Sequence, residues 1–480
     1  MTTKERSMAS ADELCYRPAT VLEAMLRAKE ISARELLQAH LDRINAVNPA
    51  VNAIVTHTTE LAQAQAQAAD DAAARGEFLG PLHGLPVAFK DNHLTKGIVT
   101  TFGSVARRDF VPDQDDVVVE RMKAAGVVTL GKTNIPEFAA GGNTFNEVFG
   151  ITRNPYDLSV TAGGSSGGAA AALAAGMHPI ADGNDMGGSL RLPAGYCNVI
   201  GLRPSAGRVP VYPAGDSFAG LSVSGPMGRT VADVALLLSV MAGPDRRSPI
   251  SLEEPGVVFA QVPDGGMRGK RIAFSVDLGG AVQVEPEVAE IVRAAAAFCE
   301  DAGADVEEAC PDFTGADECF RTLRAWQFEA TLGEFLDSYR DKVRPSLYAN
   351  MEAGRTLTGP QVGRAAVLRT QLFHRMREFL TGYDAVLLPV SPLPAFPADI
   401  QYPETVAGEQ QPDYLGWMRA VCHVTVTGHP AIAMPAGFCS AGTPVGVQFV
   451  GRHRGERELL GLAAGFEAVT GFAKRRPTAI

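Results

Sequence analysis

The sequence predicts an α/β layered fold, and three observations carry that expectation. The chain has 480 residues with a 46% apolar share, enough for a large core. Short β-rich runs alternate with helical ones over most of its length, the pattern of strands layered against helices. Glycine is concentrated between Gly131 and Gly201, where backbone is used at close quarters.

The elements follow in chain order. Over 18–47, Val21, Leu22, Met25 and Leu26, then Leu36, Leu37, Leu41 and Ile44, recur at helical spacing, and Ser32 three residues before Glu35 forms a capping box. A further helix, rich in Ala and Gln, is expected over 59–75 and is stopped by Gly76 and Gly80-Pro81. Strands are then expected at 85–89, 127–130, 199–202, 271–274, 385–390, 430–434 and 445–450. Helices are expected at 115–125, 231–241, 285–302 and 456–469. Residues 310–381 differ: Trp326, Phe328 and Phe335, then Leu368, Leu372 and Met376, predict helices joined by Gly/Pro turns, an inserted cap over the sheet.

Composition excludes several function classes. Lys plus Arg is 43 against 54 Asp plus Glu, a formal charge of −11 with no basic cluster, so neither nucleic acid nor an anionic membrane is expected as partner. No apolar run approaches the roughly 18 to 20 residues of a membrane-spanning helix. Around Lys4, Glu5, Arg6, Asp12 and Glu13 there is no apolar stretch of the secretory kind, so a cytoplasmic location is the expectation. The seven cysteines contain no C-x-x-C pair and read as free thiols, with neither a disulfide framework nor a zinc site.

Chemistry enters at Thr161-Ala162-Gly163-Gly164-Ser165-Ser166-Gly167-Gly168, a glycine loop opening an alanine-rich helix expected over 166–175. It lacks the Lys of a Walker loop and the G-x-G-x-x-G of a dinucleotide fold, so phosphate cradling is disfavoured. Gly163-Gly164-Ser165-Ser166-Gly167 does fit the G-x-S-x-G elbow of α/β-hydrolases, with Asp384 and then His423 or His429 in the required order. That pattern leaves a second block unexplained: Asp185-Met186-Gly187-Gly188-Ser189-Leu190-Arg191. A helix of about ten residues recedes about 15 Å, and an extended return at about 3.3 Å per residue recovers most of that, so Ser165 and Ser189 can meet. Gly187 and Gly188 let successive N–H groups converge before Ser189, as an oxyanion hole requires. No nearby histidine supplies a base. Lys90 ends the apolar run Leu85-Pro86-Val87-Ala88-Phe89, where desolvation favours the neutral amine. Alone it reads as a strand-end lysine reaching for water, and the two serine motifs reverse that.

Together these blocks resemble the amidase signature family, whose pattern is a Lys after a strand, then G-G-S-S-G-G, then D-x-G-G-S-x-R. Similar segments include His83 to Asn92, Gly131-Lys132-Thr133-Asn134, Thr427-Gly428-His429-Pro430 and Pro444 to Gln448. The resemblance spans about residues 15 to 470 and is weakest between about 250 and 380. It implies a three-layer α/β/α fold with a large mixed, mostly parallel sheet, built as one domain over 1–480. Within it lie a helical segment at about 15–75, a core at about 76–300, a cap at about 310–380 and the rest of the core at about 381–475. It implies Lys90 as general base, Ser165 as a bridging serine after a cis peptide bond and Ser189 as nucleophile. The N–H groups of Met186, Gly187, Gly188 and Ser189 would form the oxyanion hole, with Ser166, Asp185 and Arg191 as supports. No cofactor and no metal is implied. Asn184, Met186, His93 and Thr425 depart from the commoner family pattern without removing a catalytic group.

The activity implied is hydrolysis of the C–N bond of small or aromatic amides, with carbamates, urethanes and esters chemically adjacent. Two alternatives stand beside it: a glutaminase-type subunit of a tRNA-dependent amidotransferase, and a serine esterase of the α/β-hydrolase kind using Ser165. A small-molecule amide is the expected partner, and a homodimer is left open.

Overall fold

The computed structural model describes residues 11–264 and 266–480, so Lys4, Glu5 and Arg6 lie outside the described residues. Helices Ala19–Arg27 and Ala33–Val51 open the chain. Ser32 and Glu35 form the reciprocal capping box, each side chain accepting the other's backbone N–H. The second helix runs past the expected end even though Pro49, which has no N–H to donate, falls in its last turn, and Asn52 closes it in the left-handed conformation. Helix Thr59–Ala74 buries Ala62, Ala66 and Ala69 along one face.

Two sheets stand side by side. The smaller orders its strands as Ile54–His57, Val128–Thr133 and Pro86–Lys90. The larger has eight strands, in the order Asp305–Glu308, Arg271–Phe274, Ala385–Pro389, Pro444–Gly451, Ala431–Phe438, Ile200–Arg203, Val223–Gly228 and Ile180–Asp185. Ile180–Asp185, the last of these, lies against Pro86–Lys90 of the smaller sheet. The Asp182 carboxylate bridges them by accepting the Lys90 N–H at 3.2 Å.

The large sheet is mixed, as expected, but it is not mostly parallel. Parallel pairing within it is confined to Arg271–Phe274 and its two neighbours, and every other adjacent pair is antiparallel. Helix Pro286–Asp301 supplies the crossover that parallel neighbours need, whereas Ala431–Phe438 and Pro444–Gly451 are joined by a short turn that forces reversal. Strands Ile180–Asp185 and Val223–Gly228 carry no alternating apolar pattern, and their antiparallel pairing is invisible in the sequence.

Helix Gly167–Ala174 runs through the interior with every residue buried. A Cβ on Gly168 would lie 2.3 Å from the Asn134 backbone nitrogen, which is why backbone meets backbone there. The cap is helical as expected: Ala316–Ser338, Pro345–Arg355 and Gly359–Phe379. Phe328, Leu336, Leu347 and Met351 join Phe138 in a second small core that fixes these helices over the loops after the smaller sheet.

Candidate active site

Lys90, the last residue of Pro86–Lys90, is fully buried. Its Nζ donates to Ser165 Oγ at 2.8 Å, to Asn184 Oδ1 at 2.6 Å and, more distantly, to Asn184 O at 3.4 Å. Burial pulls the ammonium down from 10.5 to about 7, with Asp182 and Asp185 resisting the shift through space. The neutral amine is therefore accessible near neutral pH.

Ser165 follows a cis Gly164–Ser165 peptide bond. Gly163, at φ +76°, is forced to be glycine because a Cβ would strike the Pro193 backbone at 2.8 Å. Ser166 N–H donates to Ser189 O at 3.2 Å, which locks the first serine loop against the second. Ser165 and Ser189 then face one cavity of about 130 Å³. Ser166 supports through that backbone bond; its buried hydroxyl has no partner among the described residues.

The loop from Met186 to Leu190 is held by one carboxylate. Asp185 accepts from Gly188 N at 2.9 Å and Leu190 N at 3.2 Å, and from Arg191 Nε and Nη2, both at 3.0 Å. Burial would raise this carboxyl, but the guanidiniums of Arg191 and Arg203 outweigh it and hold it well below the usual carboxylate range. Arg191 also reaches Gln448 Oε1, Val421 O and Thr425 Oγ1, so the loop is tied to strand Pro444–Gly451 and helix Arg419–Thr427. Thr425, one of the departures from the family pattern, thus serves as an acceptor for Arg191.

Gly188 departs from the expected oxyanion set. Its N–H is committed to Asp185, whereas the N–H groups of Met186, Gly187 and Ser189 have no acceptor among the described residues. Gly187 is fixed as glycine by packing, since a Cβ would meet Phe320 Cζ at 2.9 Å and Cys422 Sγ at 3.3 Å.

A second group of residues carried no signal beyond being unusual. His93 Nδ1 bonds Asp182 Oδ2, and His93 Nε2 lies 3.3 Å from Asn184 Nδ2. With the imidazole proton on Nδ1 toward the carboxylate, Nε2 accepts from the Asn184 amide, and Asn184 Oδ1 is thereby aimed at Lys90. The two departures at 93 and 184 therefore form one chain of contacts ending on the lysine. Met186 stands between the 130 Å³ cavity and a neighbouring one of about 360 Å³, as a wall of both.

The α/β-hydrolase alternative does not assemble. Ser165 Oγ is held by Lys90, and Asp384 accepts from Arg271 N while pairing with Lys270 and Arg452. Among the described residues both ring nitrogens of His423 lack partners, and His429 Nδ1 faces Thr427 O. Of the cap aromatics singled out in the sequence, Phe328 lines the cavity, Phe335 meets Phe138 edge-on and Tyr339 at a tilt, and Trp326 faces an outer groove. Among the described residues all seven cysteines are free, no group of His, Cys, Asp and Glu could hold a metal, and no helix is long and apolar enough to cross a membrane.

Comparisons with known proteins place the chain in a family. The amidase family model matches residues 35–460. An acylamidase of Rhodococcus erythropolis is 37% identical over 97% of this chain and 98% of its own. A glutamyl-tRNA(Gln) amidotransferase subunit of Moorella thermoacetica is 38% identical over 97% and 99%. Among solved structures, a bacterial aryl acylamidase of the amidase signature family superposes with a TM-score of 0.90 at 28% identity, covering 96% of this chain and 98% of that one. The peptide amidase of Stenotrophomonas maltophilia gives 0.80 at 29% identity, covering 96% and 98%. The chain belongs to the amidase signature family, hydrolases of carbon–nitrogen amide bonds.

Proposed function

We propose that the protein hydrolyses small or aromatic amides through an acyl-enzyme on Ser189, with Lys90 and Ser165 relaying the proton. The observation that carries this reading is the 2.8 Å contact between a fully buried Lys90 Nζ and Ser165 Oγ, in the wall of the cavity that Ser189 also lines. Neutral Lys90 takes the Ser165 proton as Ser165 takes that of Ser189. Ser189 Oγ attacks the carbonyl carbon, and the N–H groups of Met186, Gly187 and Ser189 receive the oxyanion. As the tetrahedral centre collapses the C–N bond breaks, and the proton returns through Ser165 to the leaving amine. Water then attacks the acyl group, releasing the acid and restoring Ser189. Esters and aryl carbamates present the same carbonyl to the same groups and are the next substrates in order.

Mass spectrometry of the intact chain after exposure to a fluorophosphonate tests the roles. One adduct on the wild type and none on Ser189→Ala is the expected result. An adduct that persists in Ser189→Ala and maps to Ser165 would overturn the assignment.

The reading as an amidotransferase component is favoured by one finding, the 38% identity to such a protein over nearly the whole chain. Turnover by the isolated chain separates the two: aryl amides cleaved in preference to glutamine support the stand-alone amidase, and glutamine turnover that requires added partner chains supports the other.

A further inference from the structure

We propose that the cavity beside Ser189 recognises a carboxylate on the substrate, held by Arg324 and Tyr414. The inference rests on the amidase reading and names the substrate class for that site: small amides bearing a free carboxylate.

Arg324 lies on helix Ala316–Ser338 with 5% of its surface exposed, and it is the one charged side chain among the residues lining the 130 Å³ cavity. Among the described residues its guanidinium makes a single hydrogen bond, to Asn350 Oδ1 at 2.6 Å, and no ion pair. Other arginines of the cap are paired: Arg321 with Asp317 and Asp413, Arg355 with Asp337, Arg364 with Glu318. The guanidinium carbon of Arg324 sits 4.1 Å from the Phe328 ring centroid and 5.5 Å from that of Tyr414. Ring faces steady a cation without occupying its in-plane N–H donors. Tyr414 brings a second unused group, a hydroxyl shut off from solvent with no partner among the described residues.

A buried cation without a counter-ion bears a desolvation cost that one hydrogen bond and two ring faces offset only in part. A guanidinium fork matches a carboxylate through two parallel N–H···O bonds, and the Tyr414 hydroxyl is one more donor for the same anion. The cavity lining contains no acidic residue to repel that anion. Its volume of about 130 Å³ limits the link between carboxylate and scissile carbonyl to a short one.

The carboxylate can belong to the acyl part or to the amine part of the amide, and two matched pairs distinguish these. Binding is measured by calorimetry on Ser189→Ala, which separates recognition from turnover. The first pair is the mono-4-nitroanilide of glutaric acid against pentanoic 4-nitroanilide; the second is 4-acetamidobenzoate against acetanilide. The expected result is that the anionic member of one pair binds about tenfold or more tightly than its neutral partner. Adding Arg324→Gln brings that ratio to about one, and Arg324→Lys retains part of it. Neutral members binding as tightly as anionic ones in both pairs, or no anionic member binding, overturns the proposal. The fluorophosphonate adduct on wild-type Ser189 is independent of either outcome, so failure here and failure of the amidase mechanism are told apart.

Discussion

At the scale of single residues, the proposed chemistry turns on the protonation state of Lys90. On the proposed mechanism the neutral amine is the active form, and burial pulls its titration down to about 7, so kcat/KM is expected to rise with pH through about 7 and level off above. A profile with no inflection between pH 6 and 9 contradicts this. Replacing Lys90 with Ala lowers kcat/KM by roughly 10² to 10⁴ while leaving the thermal transition in place. Asn184 positions the amine: its Oδ1 accepts from Nζ at 2.6 Å and so favours the ammonium. Asn184→Leu removes that acceptor and moves the inflection to lower pH, a displacement that a purely structural role would not produce. Lys90, Ser165 and Ser189 were legible because each sits in a spaced motif whose members explain one another. His93, Asp182 and Asn184 were not, since each is a lone polar residue whose partner comes from another strand or loop. Gly187 and Gly188 look alike in the sequence; only the direction of the Asp185 carboxylate, which takes the Gly188 N–H, distinguishes them.

At the scale of elements, Pro86–Lys90 was legible from its apolar run, whereas Ile180–Asp185 and Val223–Gly228 were not. Ile180–Asp185 reads as Ile-Ala-Asp-Gly-Asn-Asp, a composition that suits a loop, yet Asp182, Asn184 and Asp185 are polar because they contact His93, Lys90 and the loop after the strand. Val223–Gly228 contains Gly225, whose Cβ would lie 2.3 Å from Leu202 O, so close strand approach rather than side-chain alternation decides that sequence. The loop after Ile180–Asp185 yields a prediction of its own. Gly187→Ala places a methyl 2.9 Å from Phe320 Cζ, and overpacking of this kind costs about 1 to 3 kcal/mol. The loop gives before the sheet does, so the variant is expected to stay folded, with Tm lowered by a few degrees and kcat reduced far more than binding is weakened. Unchanged kcat would show that the Met186–Ser189 backbone does not receive the oxyanion. The cap helices were legible from apolar spacing, but spacing of apolar residues says nothing about Arg324, which lies among them and lines the cavity that Ser165 and Ser189 also line.

At the scale of the whole molecule, the interior keeps several histidines neutral, and stability inherits their pH dependence. Burial pulls His40 down to about 3 and His178, His423 and His429 to about 4, from an ordinary 6.5. Above 6.5 both folded and unfolded states are neutral at these sites and stability is fully present. As pH falls below 6.5 the unfolded chain binds protons that the folded one refuses, so stability is lost progressively down to about 4. Buried acids held protonated, Glu467 to about 7 and Asp116 to about 6, act in the opposite direction, so the clean measurement is on one histidine at a time. His423 is the best placed. Its ring lies 6.0 Å from that of Phe313, and neither of its nitrogens has a partner among the described residues, so His423→Phe removes no hydrogen bond. At pH 7.5 the two proteins differ only by packing. Each pH unit below 6.5 then favours the variant by about 1.4 kcal/mol, or about 2 kcal/mol at pH 5. Urea midpoints measured for both proteins at pH 7.5 and pH 5 check this, and a difference that stays constant between the two pH values would mean that His423 is protonated in the folded state.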